Sequence, residues 1–193
     1  GLYYWIDSYE SGIDNTPRFR STDESEDYGV SNLGSIDLNA EIALQFESLI
    51  KMMEDLGRKE EINTLQKNFS TLIQNIDRKL WDKDKGIFGD LDLTTGEIKT
   101  IDTIASYFPL VISNLNEEKY NQMANRLKNK EKYNTKIPLP TVARDHKQFS
   151  KDMWRGPVWI NTAYLVVKGL WKQGFKELAS DYAYRLCKGV YYT

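Results

Sequence analysis

Two amphipathic runs separated by a single glycine-marked break constrain this chain more than any other feature. Leu38, Ile42, Phe46, Leu49, Ile50, Met53 and Leu56 recur at helical spacing until Gly57 stops the run. Ile62, Leu65, Phe69, Leu72, Ile73, Ile76 and Leu80 then draw a second stripe. So short a connection can only bring the chain back on itself, so the spacing predicts an antiparallel helical hairpin with Asp37 as its N-cap. Two further pairs are expected over 102–114 with 117–128, capped by Asn116, and over 158–173 with 175–189, broken at Gly174. Hairpins of this kind bury their apolar faces only by stacking on neighbours, in a solenoid or a closed toroid. The expected fold class is all-α, with long inter-helix loops over 1–36 and 130–157 and a small β excursion near 86–100, where glycines and turn residues concentrate.

The charge pattern removes several classes of function. Net charge is −2, with acids and bases interspersed, so no basic stripe points to nucleic acid and no polybasic or long apolar segment points to a membrane. The lone Cys187 rules out an internal disulfide framework, and His146 is the only histidine, so a His-rich zinc site is excluded. Acid–base work falls to carboxylates, and no metal or cofactor is expected. His146 sits in a charged loop and reads as solvated. The opening Gly-Leu-Tyr-Tyr-Trp shows no secretory leader and reads as the middle of a folded protein. A cytoplasmic location is expected, with secretion left open.

Three segments could carry chemistry. The first is Glu10-Ser11-Gly12-Ile13-Asp14-Asn15-Thr16-Pro17-Arg18-Phe19. Gly12 can supply a positive φ that aims Asp14 inward, and Pro17 stiffens the exit. Asp14 would sit among Tyr3, Tyr4, Trp5 and Phe19 with Glu10 near it; desolvation and a like charge raise a carboxyl pKa, as a general acid requires, while Arg18 would oppose them. The alternative is an Asx-turn, which Asp and Asn before Pro form in surface loops. The second segment is Trp154-Arg155-Gly156-Pro157-Val158-Trp159-Ile160-Asn161, with Pro157 suited to the first turn of a helix. Trp154 or Trp159 could lie against a sugar ring and Arg155 could offer its fork to hydroxyls, or both indoles could simply be core. The third is Asp37-Leu38-Asn39, where capping alone would explain Asp37.

The order E-S-G-I-D-N-T-P-R-F, D-L-N-A, W-D-K-D-K-G-I-F, W-R-G-P-V-W-I-N resembles the six-hairpin glycosidases of the trehalase and glycoside hydrolase family 63 group, from Trp5 to about Gly174. The resemblance implies an (α/α)6 toroid with its active site in a pocket at one end, and inverting hydrolysis of an α-glucoside or α-mannoside. It implies Asp14 as catalytic acid, Trp154, Arg155 and Gly156 in the sugar pocket, and supporting substrate contacts from Asn15, Arg18, Asp37, Asn39 and Asn161. The family's catalytic base, a Glu beyond the W-R-G-P hairpin, is expected outside these residues. Residues 1–193 therefore read as one fragment of a toroidal catalytic domain, inactive alone and prone to self-associate or to pair with the rest of the barrel. The expected partner is an oligosaccharide or small glycoside. A non-catalytic helical-repeat scaffold and a toroidal sugar epimerase or isomerase are the competing readings.

Overall fold

The computed structural model describes residues 1–19 and 30–192. Among the described residues five α-helices carry the architecture: α1 (Ile36–Asp55), α2 (Lys59–Lys79), α3 (Glu117–Leu127), α4 (Ile160–Lys172) and α5 (Lys176–Tyr191). The first hairpin is the one its periodicity predicts. α1 and α2 pack together across a turn at Gly57, whose φ of 70° lies in the left-handed region that favours glycine. The α4–α5 hairpin turns in the same way at Gly174, with φ 87°.

The middle pair departs from expectation. In place of an α-helix over 102–114, residues Ile104–Val111 form a 3-10 helix with every residue buried. Pro109 has no N–H to donate, and in an α-helix its ring would clash with the carbonyl one turn earlier. This short helix lies between α1 and α4, giving a layer of three elements with α2 and α5 folded back behind. α3 follows as expected, its first turn capped by Asn116, whose Oδ1 accepts from Glu118 N at 2.8 Å.

α4 and the 3-10 helix come close at Gly169. A Cβ there would lie 2.5 Å from Leu110 Cβ and 2.8 Å from the Leu110 carbonyl carbon. Only a residue without a side chain lets the two backbones meet this way.

The β excursion spans residues 81–99. Strand β2 (Trp81–Asp82) pairs with β3 (Ile87–Phe88). Strand β4 (Asp90–Asp92) pairs with β5 (Ile98–Lys99) and also with β1 (Leu33–Gly34), all antiparallel. Both hairpins use one turn chemistry. Asp82 Oδ1 accepts from the N–H groups of Asp84 and Lys85, and Asp92 Oδ1 from those of Thr94 and Thr95. The β1–β4 pairing ties the segment that leads into α1 to residues 90–92.

Apolar side chains form two clusters. The larger, which includes Ile36, Ile76, Leu80, Phe88, Tyr107 and Leu110, lies under the helices. A smaller one of Ile13, Phe19, Val30, Leu33 and Trp154, with Trp5 against it, lies beneath the loops.

Gly169→Ala should lower stability by about 1–3 kcal/mol, the usual cost of forcing an extra methyl into a packed interior. Thermal or urea unfolding of the variant beside wild type measures it.

Candidate active site

Asp14 stands at the centre of a tight turn whose two ends are buried. Thr16 N donates to Ile13 O at 3.0 Å, and Phe19 N donates to Thr16 O at 3.1 Å, so residues 13–16 and 16–19 form two consecutive turns. Pro17 occupies the second position of the second turn, where its locked φ fits. Gly12, at φ 68°, makes the bend before them. Ile13, Thr16 and Phe19 are buried and Asp14 is half-buried. An Asx-turn would need Thr16 N to reach the Asp14 carboxylate, but that N–H is taken by Ile13 O. Among the described residues the Asp14 carboxylate has no hydrogen-bond or ion-pair partner.

Arg18 explains why this turn holds its place. The side chain is 2% exposed and lies between two carboxylates. Nη1 and Nη2 donate to Asp37 at 2.9 and 3.0 Å. Nε and Nη2 donate to Asp90 at 2.9 and 2.7 Å. Four of its five N–H donors are thereby used, and the guanidinium holds the loop rather than a ligand. Burial disfavours its charge, but Asp37 and Asp90 outweigh that and hold its pKa above the usual value. Burial would likewise lift the Asp37 carboxyl. The charge and hydrogen bonds of Arg18 prevail, helped by Leu38 N and the Trp5 indole N–H, and the carboxyl is held below the usual range.

Asp37 is therefore not the N-cap. Ser35 occupies that position without a side-chain cap bond, and Asp90 serves instead, its Oδ1 accepting from Ile36 N at 2.9 Å. Asp90 is a residue that the sequence did not mark. The stretch G-D-L-D carries no local sign that its first carboxylate is the one that meets Arg18.

Asn15 joins the Asp14 turn to the W-R-G-P segment. Its Oδ1 accepts from Trp154 N at 2.9 Å and its Nδ2 donates to Asp152 at 2.6 Å. The two segments thus converge, as a shared site requires. Trp154 itself is only 5% exposed and stacks on Trp159, with ring centroids 4.1 Å apart and planes at 16°. Trp159 is the partly exposed member, so the indole available to a ligand is Trp159 rather than Trp154. Arg155 and Gly156 are buried beside them. A Cβ on Gly156 would lie 2.1 Å from Ser150 O, which accounts for the glycine. Pro157 precedes the helix instead of opening it, because α4 begins at Ile160.

Other expected site residues lie elsewhere or are otherwise engaged. Asn39 is fully buried and spends its amide on backbone, receiving Tyr3 N and donating to Tyr3 O and Ser35 O. Asn161 is exposed in the first turn of α4. Glu10 accepts from Ile6 N at 2.8 Å. His146 is half-buried rather than solvated, and burial foremost lowers its pKa.

A family model for the mannosylglycerate hydrolase MGH1-like glycoside hydrolase domain matches residues 1–193. The chain belongs to that family. A mannosylglycerate hydrolase from Thermus thermophilus is 33% identical to this MGH1-like domain over 105 residues, 52% of the chain and 24% of the relative. A putative periplasmic trehalase from Escherichia coli O157:H7 is 25% identical over 153 residues, 75% of the chain and 26% of the relative. The crystal structure of a glycoside hydrolase family 63 mannosylglycerate hydrolase from Thermus thermophilus, in complex with glucose, superposes with a TM-score of 0.76 at 23% identity. That superposition covers 93% of the chain and 51% of the neighbour, so the MGH1-like domain spans about half the length of that structure. Its helical hairpins are those of an (α/α)6 toroid, as the sequence motifs imply.

One titratable group of the MGH1-like domain went unmarked by the sequence. Glu41 follows Asp37 by one helical turn on α1, half-buried, and its pKa is pushed up to about 7 by burial first and the negative charge of Asp37 next, with Arg18 opposing. The folded state holds this proton more tightly than an unfolded chain with the ordinary glutamate value of 4.5. Its contribution to stability is therefore complete below about pH 4.5 and is lost as pH rises through about 7. Glu41→Gln should remove that fall, leaving the variant more stable than wild type above neutrality; unfolding curves across this pH window test it.

Arg18→Ala should cost about 3–5 kcal/mol, since it strands two buried carboxylates without their counter-charge. Chemical denaturation gives the number.

Proposed function

We propose that this chain forms part of a glycoside hydrolase that cleaves an α-glucoside or α-mannoside with inversion, with Asp14 as the general acid. The observation that carries this reading is the Asp14 carboxylate, which lacks a protein partner among the described residues while the groups around it are fastened. A carboxylate that serves no structural bond on so constrained a turn is suited to give its proton to a leaving oxygen. The exposed face of Trp159, backed by Trp154, offers an apolar surface to a sugar ring, with Arg155 adjacent. The likeness to a mannosylglycerate hydrolase and to trehalases supports a glycoside as substrate.

Inversion needs a second carboxylate about 6.5–9.5 Å from the acid, to take a proton from water attacking the opposite face of the sugar. Among the described residues, Glu10 is engaged by Ile6 N, Asp152 by Asn15, and Asp37 and Asp90 by Arg18. We assign the base to a residue outside 1–193, and the exposed rings of Tyr164 and Trp171 on α4 and Tyr184 on α5 to the seam where further hairpins of the toroid pack.

In the full-length protein, Asp14→Asn should reduce turnover of an unactivated α-disaccharide by about 10²–10⁴-fold, the usual share of general acid catalysis, without altering the fold. Equal turnover by mutant and wild type would remove Asp14 from the mechanism.

A further inference from the structure

We propose that Asp90 is a positioning residue for the acid, acting through Arg18 to fix the direction of the Asp14 turn. The inference rests on reading Asp14 as the general acid. The Asp14 carboxylate has no bond among the described residues to orient it, so its direction is set by the backbone of residues 13–19. Two kinds of contact anchor that backbone. Ile13 and Phe19 are held by apolar packing, which is non-directional. Asn15 and Arg18 are held by hydrogen bonds, and of the two Arg18 is buried and makes four. A planar guanidinium bonded to two carboxylates fixes orientation as well as position. Pro17, rigid at φ, links that anchor to the acid's turn.

Asp90 connects this anchor to the rest of the fold. It lies 72 residues from Arg18 in sequence, yet one of its oxygens takes both Arg18 Nη2 and Ile36 N, and the other takes Arg18 Nε. A single carboxylate thereby joins the acid's turn, the start of α1 and the β1–β4–β5 sheet. Asp37 holds the other edge of the guanidinium but reaches only α1 and Trp5. Asp90→Asn would preserve shape and the bond from Ile36 N while turning an NH2 group toward Arg18 Nε–H, donor against donor. The guanidinium must then shift, and the turn with it.

The test uses the full-length protein and two substrate pairs: trehalose with α-glucosyl fluoride, and mannosylglycerate with α-mannosyl fluoride. In each pair the first leaving group needs a proton from the acid and fluoride needs little help. Wild type, Asp14→Asn, Asp90→Asn and Arg18→Lys are compared on whichever pair wild type cleaves, with thermal unfolding to confirm folding. A displaced acid costs up to about 10²-fold in turnover. Asp90→Asn should show a loss of that order in kcat on the glycoside, a little-changed KM and a much smaller loss on the fluoride, repeating the Asp14→Asn pattern in milder form. Arg18→Lys, which keeps the charge but not the fork, should do the same and decides the matter if Asp90→Asn fails to fold. Equal losses on both substrates, or none, would overturn the positioning role. If Asp14→Asn itself shows no dependence on the leaving group, the acid assignment fails first, and this inference fails with it.

Discussion

A buried arginine between two aspartates is the interaction on which the arrangement of this chain depends. Removing three charges from water is costly, and mutual attraction offsets it only where geometry and hydrogen bonding are nearly complete. Arg18, Asp37 and Asp90 meet that condition with four N–H···O bonds, and the remaining demand of the carboxylates is met by Ile36 N, Leu38 N and the Trp5 indole. Two of those donors belong to the start of α1, where unpaired N–H groups and the helix dipole favour negative charge. The triad carries one excess negative charge, and Asp37 adds to the burial that raises the pKa of Glu41 one turn further along the helix.

From this centre the candidate site is assembled at the beginnings of two helices. α1 starts beside the Arg18 cluster, and α4 starts just past the Trp154–Trp159 stack. The Asp14 turn is tied to both, through Arg18 to the first and through Asn15 to the segment that leads into the second. Between the helices lies the short buried 3-10 segment, whose Pro109 and whose approach to Gly169 keep the layer close-packed. The rigid layer thus presents a loop cluster at one end, where chemistry can vary without disturbing the core.

The exposure of individual aromatic rings decides which of them can meet a ligand. Trp154 and Trp159 read alike in W-R-G-P-V-W. One is enclosed with Ile13, Phe19 and Leu33, and the other covers it from outside. The buried indole packs under the candidate site, and the outer one is exposed above it.

Local features were legible in the sequence because they are written at local range. The 3.6-residue stripes marked the α1–α2 and α4–α5 hairpins, Gly57 and Gly174 marked their turns through the need for positive φ, and Asn116 marked a cap that its own side chain forms. Asp14 was marked by the turn chemistry and family likeness of the segment around it. The tertiary structure alone decided that Asp90, 72 residues from Arg18, is its partner and the cap of α1 in place of Asp37. It alone decided that Arg18 is a buried anchor, that Asn39 serves the backbone of Tyr3, and that Glu41 is desolvated. The reason is physical: periodicity and turn preference depend on neighbours along the chain, whereas the burial of a charge and its choice of partner depend on which distant segments packing brings together.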